Sequence, residues 1–380
     1  MSNETSQDSN KSIHKPKNIV ICYDGTGNEY GENNTNVVKV FESIERDERQ
    51  IAFYDPGVGT ISFLGRRVGR KTGILLGRAF GYGLTQNIED GYEYLMNRFK
   101  PGDKIFLFGF SRGAFTVRLL ADMIYRFGLL QKGSKNLVPY VTKYYNDKNL
   151  ATGEEYESFR QNFKKAFCQD CRPHFIGVWD TVGSLGYING RKFHDHKLNP
   201  EIKYAYQAIA IDEKRSKFKE NLWDESGKKV EGQEIEQVWF AGCHSDVGGW
   251  SSRPTSPDKE GLLDKERGLP DITFAWMMDM AEEHGLILKP HWVEKLEQDA
   301  SGKLHESRKG MWLLWRKKHR EIPEGSKIHR SVIDRLISED LNGTREAYRP
   351  ENLLKGYEIK ELEGKYRVVT NDSYQNRNGC

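Results

Sequence analysis

A serine stands at the apex of a glycine-flanked turn in this 380-residue chain. The turn, Gly109-Phe-Ser111-Arg-Gly113, follows a short apolar run and precedes residues with helical spacing. Strand, sharp turn and helix with serine at the apex form the layout of a nucleophile elbow. A side chain at position 109 or 113 would collide with the strand and helix that pass close by, which explains both glycines. The pattern predicts a nucleophile at Ser111, and a serine that only caps a helix is the alternative.

A serine nucleophile needs a base to take its proton and an acid to orient that base. Predicted strand ends supply the chain order Ser111, Asp180, His244, which is the order found in α/β-hydrolases. We therefore predict Asp180 as the orienting acid and His244 as the general base and acid. Asp246 is an alternative acid, although a turn residue that bonds local N–H groups is its simpler interpretation. His329, which heads a helix-like pattern, is an alternative base.

The oxyanion formed by attack on an ester would need two N–H donors. We predict the N–H of Arg112, the residue after the nucleophile, together with an N–H from the glycine-rich loop at Gly25 and Thr26.

The same strand ends permit a different chemistry. A metal or phosphate site is an alternative built from three polar side chains, namely Asp24, Asn28 and Asp55. Cys168 and Cys171 with His174 lack a fourth ligand at a suitable spacing for zinc. We expect neither a metal nor a cofactor.

Alternating strands and helices must position these side chains. The strands are predicted at 18–23, 50–54, 104–109, 173–179 and 236–242, and the helices at 33–45, 84–99, from 112, 201–211, 271–284 and 327–335. This alternation predicts an α/β-hydrolase fold, with a mostly parallel central sheet and helices on both faces. In such sheets the ligand lies at the carboxyl ends of the strands, where the predicted site residues stand.

Composition narrows the class of protein. The net charge of +3 gives no broad basic field, so we expect no nucleic-acid partner. Five scattered cysteines argue against a disulfide framework, and no run of about 18 apolar residues predicts a membrane span. With no apolar segment near the N-terminus, we expect a cytoplasmic protein, or one exported without a cleaved signal peptide.

Six motifs in order resemble one known family. They are Asp24-Gly-Thr-Gly-Asn28, Gly57-Val-Gly-Thr60, Gly109-Phe-Ser-Arg-Gly-Ala114, Asp180-Thr-Val-Gly183, Asp212-Glu-Lys-Arg-Ser-Lys-Phe218 and His244-Ser-Asp-Val-Gly-Gly249. Their order and their residues resemble the motifs in the catalytic domain of type VI secretion phospholipase effectors of the first lipase class. That domain belongs to a broader family from bacteria and fungi. The resemblance implies a bacterial source and ester hydrolysis with phospholipid as substrate. It carries the roles of nucleophile, acid and base to Ser111, Asp180 and His244.

We expect a disordered polar tail at 1–17, a catalytic domain at 18–350 with a candidate lid at 61–83, and a C-terminal extension at 351–380. The aromatic and basic stretch Met311–Arg320 predicts a buried strand followed by a solvated charge run, with peripheral membrane contact as the alternative. The sequence favours a serine hydrolase that cleaves carboxylic esters, lipase- or phospholipase-like. A catalytically silent binding module and a metal-dependent phosphate-handling enzyme are the competing hypotheses.

Overall fold

The computed structural model describes residues 14–25, 34–57, 73–146, 153–183, 198–225, 230–249, 268–308, 313, 316–338, 348–354 and 361–378. The candidate lid lies outside this part of the chain from 61 to 72, and so do residues 1–13 of the predicted tail. His14 and Lys17, at the end of that tail, both contact the Asp103 carboxylate, at 2.8 and 2.6 Å.

The strands of the described residues are β1 (Asn18–Tyr23), β2 (Gln50–Asp55), β3 (Lys104–Phe110), β4 (Leu129–Leu130), β5 (Cys168–Gln169), β6 (Pro173–Trp179), β7 (Tyr204–Ala210), β8 (Glu234–Phe240), β9 (Lys327–His329) and β10 (Arg367–Val369). The helices are α1 (Asn36–Ser43), α2 (Gly73–Arg98), α3 (Arg112–Phe127), α4 (Val138–Asn146), α5 (Glu154–Phe167), α6 (His244–Gly248), α7 (Leu269–Glu283), α8 (Arg330–Ile337), α9 (Glu351–Leu354), α10 (Leu362–Lys365) and α11 (Asp372–Asn378).

Eight strands form one sheet in the order β10-β9-β8-β7-β6-β3-β1-β2, and every neighbouring pair is parallel. β4 and β5 form a separate antiparallel pair. The carboxyl ends of β1, β3, β6, β7 and β8 therefore meet at one edge of the main sheet. The chain has the α/β fold that the sequence predicts.

Side-chain alternation along the strands divides the core into two layers. On β1, Ile19 and Ile21 pack into one layer, whereas Val20 and Cys22 pack into the other. The first layer contains the buried faces of α2 and α3, and the second contains those of α1 and α7. Because helices cover both faces, the central strands are buried on both sides and their sequences are nearly continuous apolar runs.

The helix predicted at 201–211 is wrong, since Tyr204–Ala210 forms the buried strand β7 between β6 and β8. Three alanines give this segment a helical composition, but burial in the middle of the sheet decides its structure. The helix predicted at 327–335 is partly wrong. It begins only at Arg330, and Lys327–His329 pairs with β8 as β9.

Among the described helices, none combines the length and apolar character that crossing a bilayer requires.

Candidate active site

Ser111 lies in a strained turn between β3 and α3. Its φ of 57° and ψ of −118° are rare for a residue with a side chain. A Cβ at position 109 would lie 2.6 Å from the Gly113 carbonyl oxygen, and one at position 113 would lie 2.1 Å from the Tyr23 carbonyl oxygen. Neighbouring backbone atoms therefore leave no space for a side chain at either position. The turn holds the serine hydroxyl at the carboxyl edge of the sheet.

Asp180 follows β6, the strand beside β3. Its own φ is also positive, at 42°, and the residue is 1% exposed. The N–H of Ala210, at the end of β7, donates to Asp180 Oδ1 at 3.0 Å. This hydrogen bond from the end of β7 holds the Asp180 carboxylate in an orientation that faces β8.

His244 begins the short helix α6, which follows β8. Its Nδ1 lies 2.6 Å from Asp180 Oδ2, and its Nε2 lies 2.8 Å from Ser111 Oγ. An ionised carboxylate only accepts hydrogen bonds, so the proton sits on Nδ1 and Nε2 is left to accept from the serine hydroxyl. The rings of Phe110 and Phe218 flank the imidazole, with centroids at 4.6 and 5.0 Å. The structure thus brings the three predicted residues into one hydrogen-bonded chain.

Burial and charge set the protonation states of His244 and Asp180. Burial lowers the pKa of His244, and this effect outweighs the Asp180 carboxylate, which acts to raise it. Burial alone would raise the pKa of Asp180, but Arg320 and His244 together hold it well below its usual range. The resting site therefore contains an ionised carboxylate beside a neutral imidazole, which can accept a proton.

Arg320 is a site residue that sequence reasoning missed. Its Nη1 donates to Asp180 Oδ1 at 2.5 Å and its Nη2 donates to Oδ2 at 3.0 Å. The guanidinium also donates to the carbonyl oxygens of Ala210 and Phe218, and the residue is only 4% exposed. Arg320 ends a run of charged residues that predicts a solvated surface. Nothing in the sequence distinguishes it from the adjacent cations, because its partner lies 140 residues away.

Glu213 forms a second ion pair behind His244. Arg215 donates to both of its carboxylate oxygens, each at 2.8 Å, and Glu213 Oε2 lies 3.4 Å from the His244 backbone nitrogen. Both residues belong to the Asp212–Phe218 motif, to which the sequence assigned no role. His244 therefore lies between two carboxylates, and each of these is paired with a guanidinium.

The predicted oxyanion donors differ in their surroundings. Arg112 is the first residue of α3, where backbone N–H groups point away from the helix. The N–H of Gly25 donates to Asp24 Oδ1 at 2.6 Å, so it is already engaged by a carboxylate. Thr26 lies outside the described residues.

Neither alternative residue contacts the Ser111–His244 pair. Asp246 accepts from the Cys243 N–H at 2.9 Å, and its Oδ1 lies 2.5 Å from His305 Nδ1. It thus caps α6, which matches its simpler interpretation as a turn residue.

His329 is fully buried at the start of α8. Its Nδ1 lies 2.8 Å from Ser331 Oγ and its Nε2 lies 2.9 Å from Asn371 Oδ1. Both ring nitrogens therefore have partners of their own within this part of the structure.

The acidic residues of the alternative metal or phosphate site are bonded by protein donors. Asp24 Oδ2 accepts from the hydroxyls of Thr35 and Tyr54, at 2.7 and 3.0 Å. Asp55 Oδ1 accepts from the Gly57 N–H and the Asn87 amide, both at 2.7 Å. Asn28, the third member, falls in a segment that the structure does not describe. The two carboxylates thus brace the loops beside the elbow.

The parallel sheet, the strained elbow and the side chains at its carboxyl edge define an α/β-hydrolase fold. Comparison of the sequence with protein families makes the assignment narrower. Residues 17–280 match the family model described as the T6SS phospholipase effector Tle1-like catalytic domain. The chain belongs to this family.

Each individual relative either has low sequence identity to this chain or matches only part of it. The uncharacterized protein YEL023C of Saccharomyces cerevisiae is 35% identical over 219 residues, which cover 54% of this chain and 32% of the yeast protein. The chain thus spans about a third of that relative, and a bacterial source stays a prediction. A solved structure of an uncharacterized Pseudomonas aeruginosa protein is 17% identical, with a TM-score of 0.40, over 73% of this chain and 47% of that one. A cutinase-like protein from Cryptococcus is 10% identical, with a TM-score of 0.27, over 70% and 94%.

Proposed function

We propose that this protein is a serine hydrolase that cleaves carboxylic esters, with Ser111 as the nucleophile. His244 is its general base and acid, and Asp180 orients and stabilises the imidazole. The observation that carries the proposal is the chain of hydrogen bonds of 2.8 and 2.6 Å that joins the strained elbow serine to a buried carboxylate. A helix-capping serine has no need of either partner, and Ser111 makes no side-chain cap to α3.

The proposed reaction uses these groups in turn. Ser111 Oγ attacks the ester carbonyl carbon while His244 Nε2 takes the hydroxyl proton. The carbonyl oxygen becomes an oxyanion, and the proposed donor to it is the Arg112 N–H at the N-terminus of α3. The intermediate collapses when the imidazolium gives its proton to the departing alcohol. A water molecule, deprotonated by the same nitrogen, then releases the acid and restores the Ser111 hydroxyl.

We further propose that the substrate is a lipid ester, with phospholipid as the first class to test. The chain belongs to a family whose model is described as a phospholipase effector catalytic domain, and this membership supports a lipid substrate. The ring of Phe218, which is only half-buried, lies against His244 and offers an apolar surface beside the reacting atoms. An acyl chain would remove such a surface from water.

Labelling with a fluorophosphonate probe tests the nucleophile directly. Wild-type protein should label, Ser111→Ala should not, and His244→Ala should label weakly. Ser331→Ala is the matched control, because Ser331 Oγ also lies 2.8 Å from a histidine, His329, outside the site. The control should label like wild type.

Three outcomes would overturn the proposal. Labelling of Ser111→Ala at the wild-type rate would show that another residue reacts. Absence of labelling in folded wild-type protein would favour the silent binding module. Lipid-ester hydrolysis that is abolished by a chelator and restored by a divalent cation would favour the metal-dependent phosphate-handling enzyme instead.

A further inference from the structure

Two basic segments that are distant in sequence lie side by side at the rim of the candidate site. The Ser216 N–H donates to the Arg316 carbonyl oxygen at 3.2 Å, and the Lys318 N–H donates to that of Lys214 at 2.9 Å. Arg215 and Lys317 form an antiparallel bridge between them. We call residues 214–219 and 316–320 together the basic patch.

Most of the cations of the basic patch point into solvent. Five of them are exposed and have no ion pair with any carboxylate of the described residues; these are Lys217, Lys219, Arg316, Lys317 and Lys318. Lys214, by contrast, pairs with Glu306 at 3.0 Å. The whole chain carries a net charge of only +3, so this concentration of positive charge is local.

The basic patch is joined to the candidate site at two points. The ring of Phe218, from its first segment, lies edge-on to His244. Arg320, from its second segment, binds the Asp180 carboxylate. Exposed cations therefore border the edge of the sheet at which an ester must enter.

We propose that the basic patch docks the protein on an anionic lipid surface, with the candidate site turned toward the bilayer. The inference rests on the proposed function, since a lipid ester is reached from the membrane. Lysines near an anionic leaflet each strengthen binding about fivefold, and their flexible heads suit a layer of phosphates.

A small free anion fits the same region less well. The two segments enclose a cavity of about 100 Å³, but Glu220 and Glu321 line it together with the cations. The guanidinium of Arg320 in its wall is already bonded to Asp180. The unpaired positive charge therefore lies on the open surface rather than inside a built anion pocket.

Vesicle co-sedimentation tests the proposal, with Ser111→Ala as the parent protein so that no lipid is hydrolysed. The vesicles contain phosphatidylcholine alone, or phosphatidylcholine with about 30% phosphatidylglycerol. The test variant adds Lys217→Gln, Lys219→Gln and Lys318→Gln. The control variant instead adds three changes of equal charge near the amino ends of the strands, at exposed residues Lys100→Gln, Lys132→Gln and Lys165→Gln.

We expect the parent protein to bind the anionic vesicles and not the neutral ones. The test variant should bind the anionic vesicles roughly 100-fold more weakly, while the control variant changes little. Equal binding by the test variant, equal losses in both variants, or release by inorganic phosphate at constant ionic strength would each overturn the proposal.

Fluorophosphonate labelling separates this proposal from the proposed function. With Ser111 intact, the three test substitutions should leave labelling in solution unchanged, because none of these lysines contacts the serine or its partners. If wild type does not label but patch-dependent binding persists, the hydrolase assignment fails and the docking surface stands.

Discussion

Replacing Arg320 by glutamine should move the acid limb of the pH–rate profile to higher pH. Two hydrogen bonds of 2.5 and 3.0 Å hold the Asp180 carboxylate against the buried guanidinium. With that positive charge gone, the negative charge of the carboxylate acts on His244 without compensation. The Asp180–His244 pair then takes up a proton at a higher pH, and protonated His244 cannot act as a base.

The size of the shift follows from the geometry. Asp180 Oδ2 lies 2.6 Å from His244 Nδ1 and 3.0 Å from Arg320 Nη2. The guanidinium charge is therefore about 6 Å from the imidazole, and at an effective dielectric constant of about 20 its effect is about 2–3 kcal/mol. At about 1.4 kcal/mol per pH unit, this corresponds to a rise of about one to two in the apparent pKa of the pair.

The assay is kcat/KM for a soluble short-chain ester between about pH 5 and pH 9, since this parameter reports the pKa values of the free enzyme. Arg320→Lys keeps the charge, so its acid limb should stay near that of wild type even if kcat falls. Arg335→Gln is the matched control, because Arg335 donates to the carbonyl oxygens of Ala300 and Gly302. Its loss should lower the melting temperature without moving the limb. A uniform loss of activity in Arg320→Gln, with the limb in place, would refute the reasoning.

Three further substitutions, two of them with a matched control, test the remaining geometry. Asp180→Asn should lower kcat about 10⁴-fold, whereas Asp246→Asn should cost about 1 kcal/mol of stability and little activity; comparable losses of kcat would contradict the assignment. Gly113→Ala should lower the free energy of unfolding by more than about 2 kcal/mol in denaturant titrations, since its Cβ meets backbone, while Gly364→Ala meets nothing within 4 Å and should be neutral. Burial lowers the pKa of His329 from 6.5 to about 4. As the pH drops, the unfolded chain therefore binds the proton before the folded protein does. The free energy of unfolding should fall by about 3 kcal/mol through this pH range. His329→Gln should make the free energy of unfolding less dependent on pH over the same range.

Local patterns in the sequence were sufficient for much of the sheet. The strands predicted at 18–23, 50–54 and 104–109 are apolar runs that end in glycine turns, and they form β1, β2 and β3. The helix prediction for the segment that forms β7 is wrong, because its composition is ambiguous and its neighbours in the sheet decide its structure. β9 has only three residues, too few for a period to appear in the sequence.

The candidate site likewise contains some residues that could be predicted from the sequence and others that could not. Ser111, Asp180 and His244 each follow a recognisable strand, so the edge at which they meet could be predicted. Arg320 could not be found, because it follows no strand and lies among other cations. Glu213 stood in a motif without an assigned role, since only the folded chain shows that it faces the His244 backbone.

The distance in sequence between Asp180 and Arg320 also decides when their ion pair can form during protein synthesis. A ribosome that adds about 5–20 residues per second needs on the order of ten seconds to pass from the first of these residues to the second. During that interval the nascent chain already contains the serine and the aspartate, and later the histidine, but not the cation that neutralises the aspartate. The electrostatic balance of the site is thus completed only after most of the sheet has been synthesised.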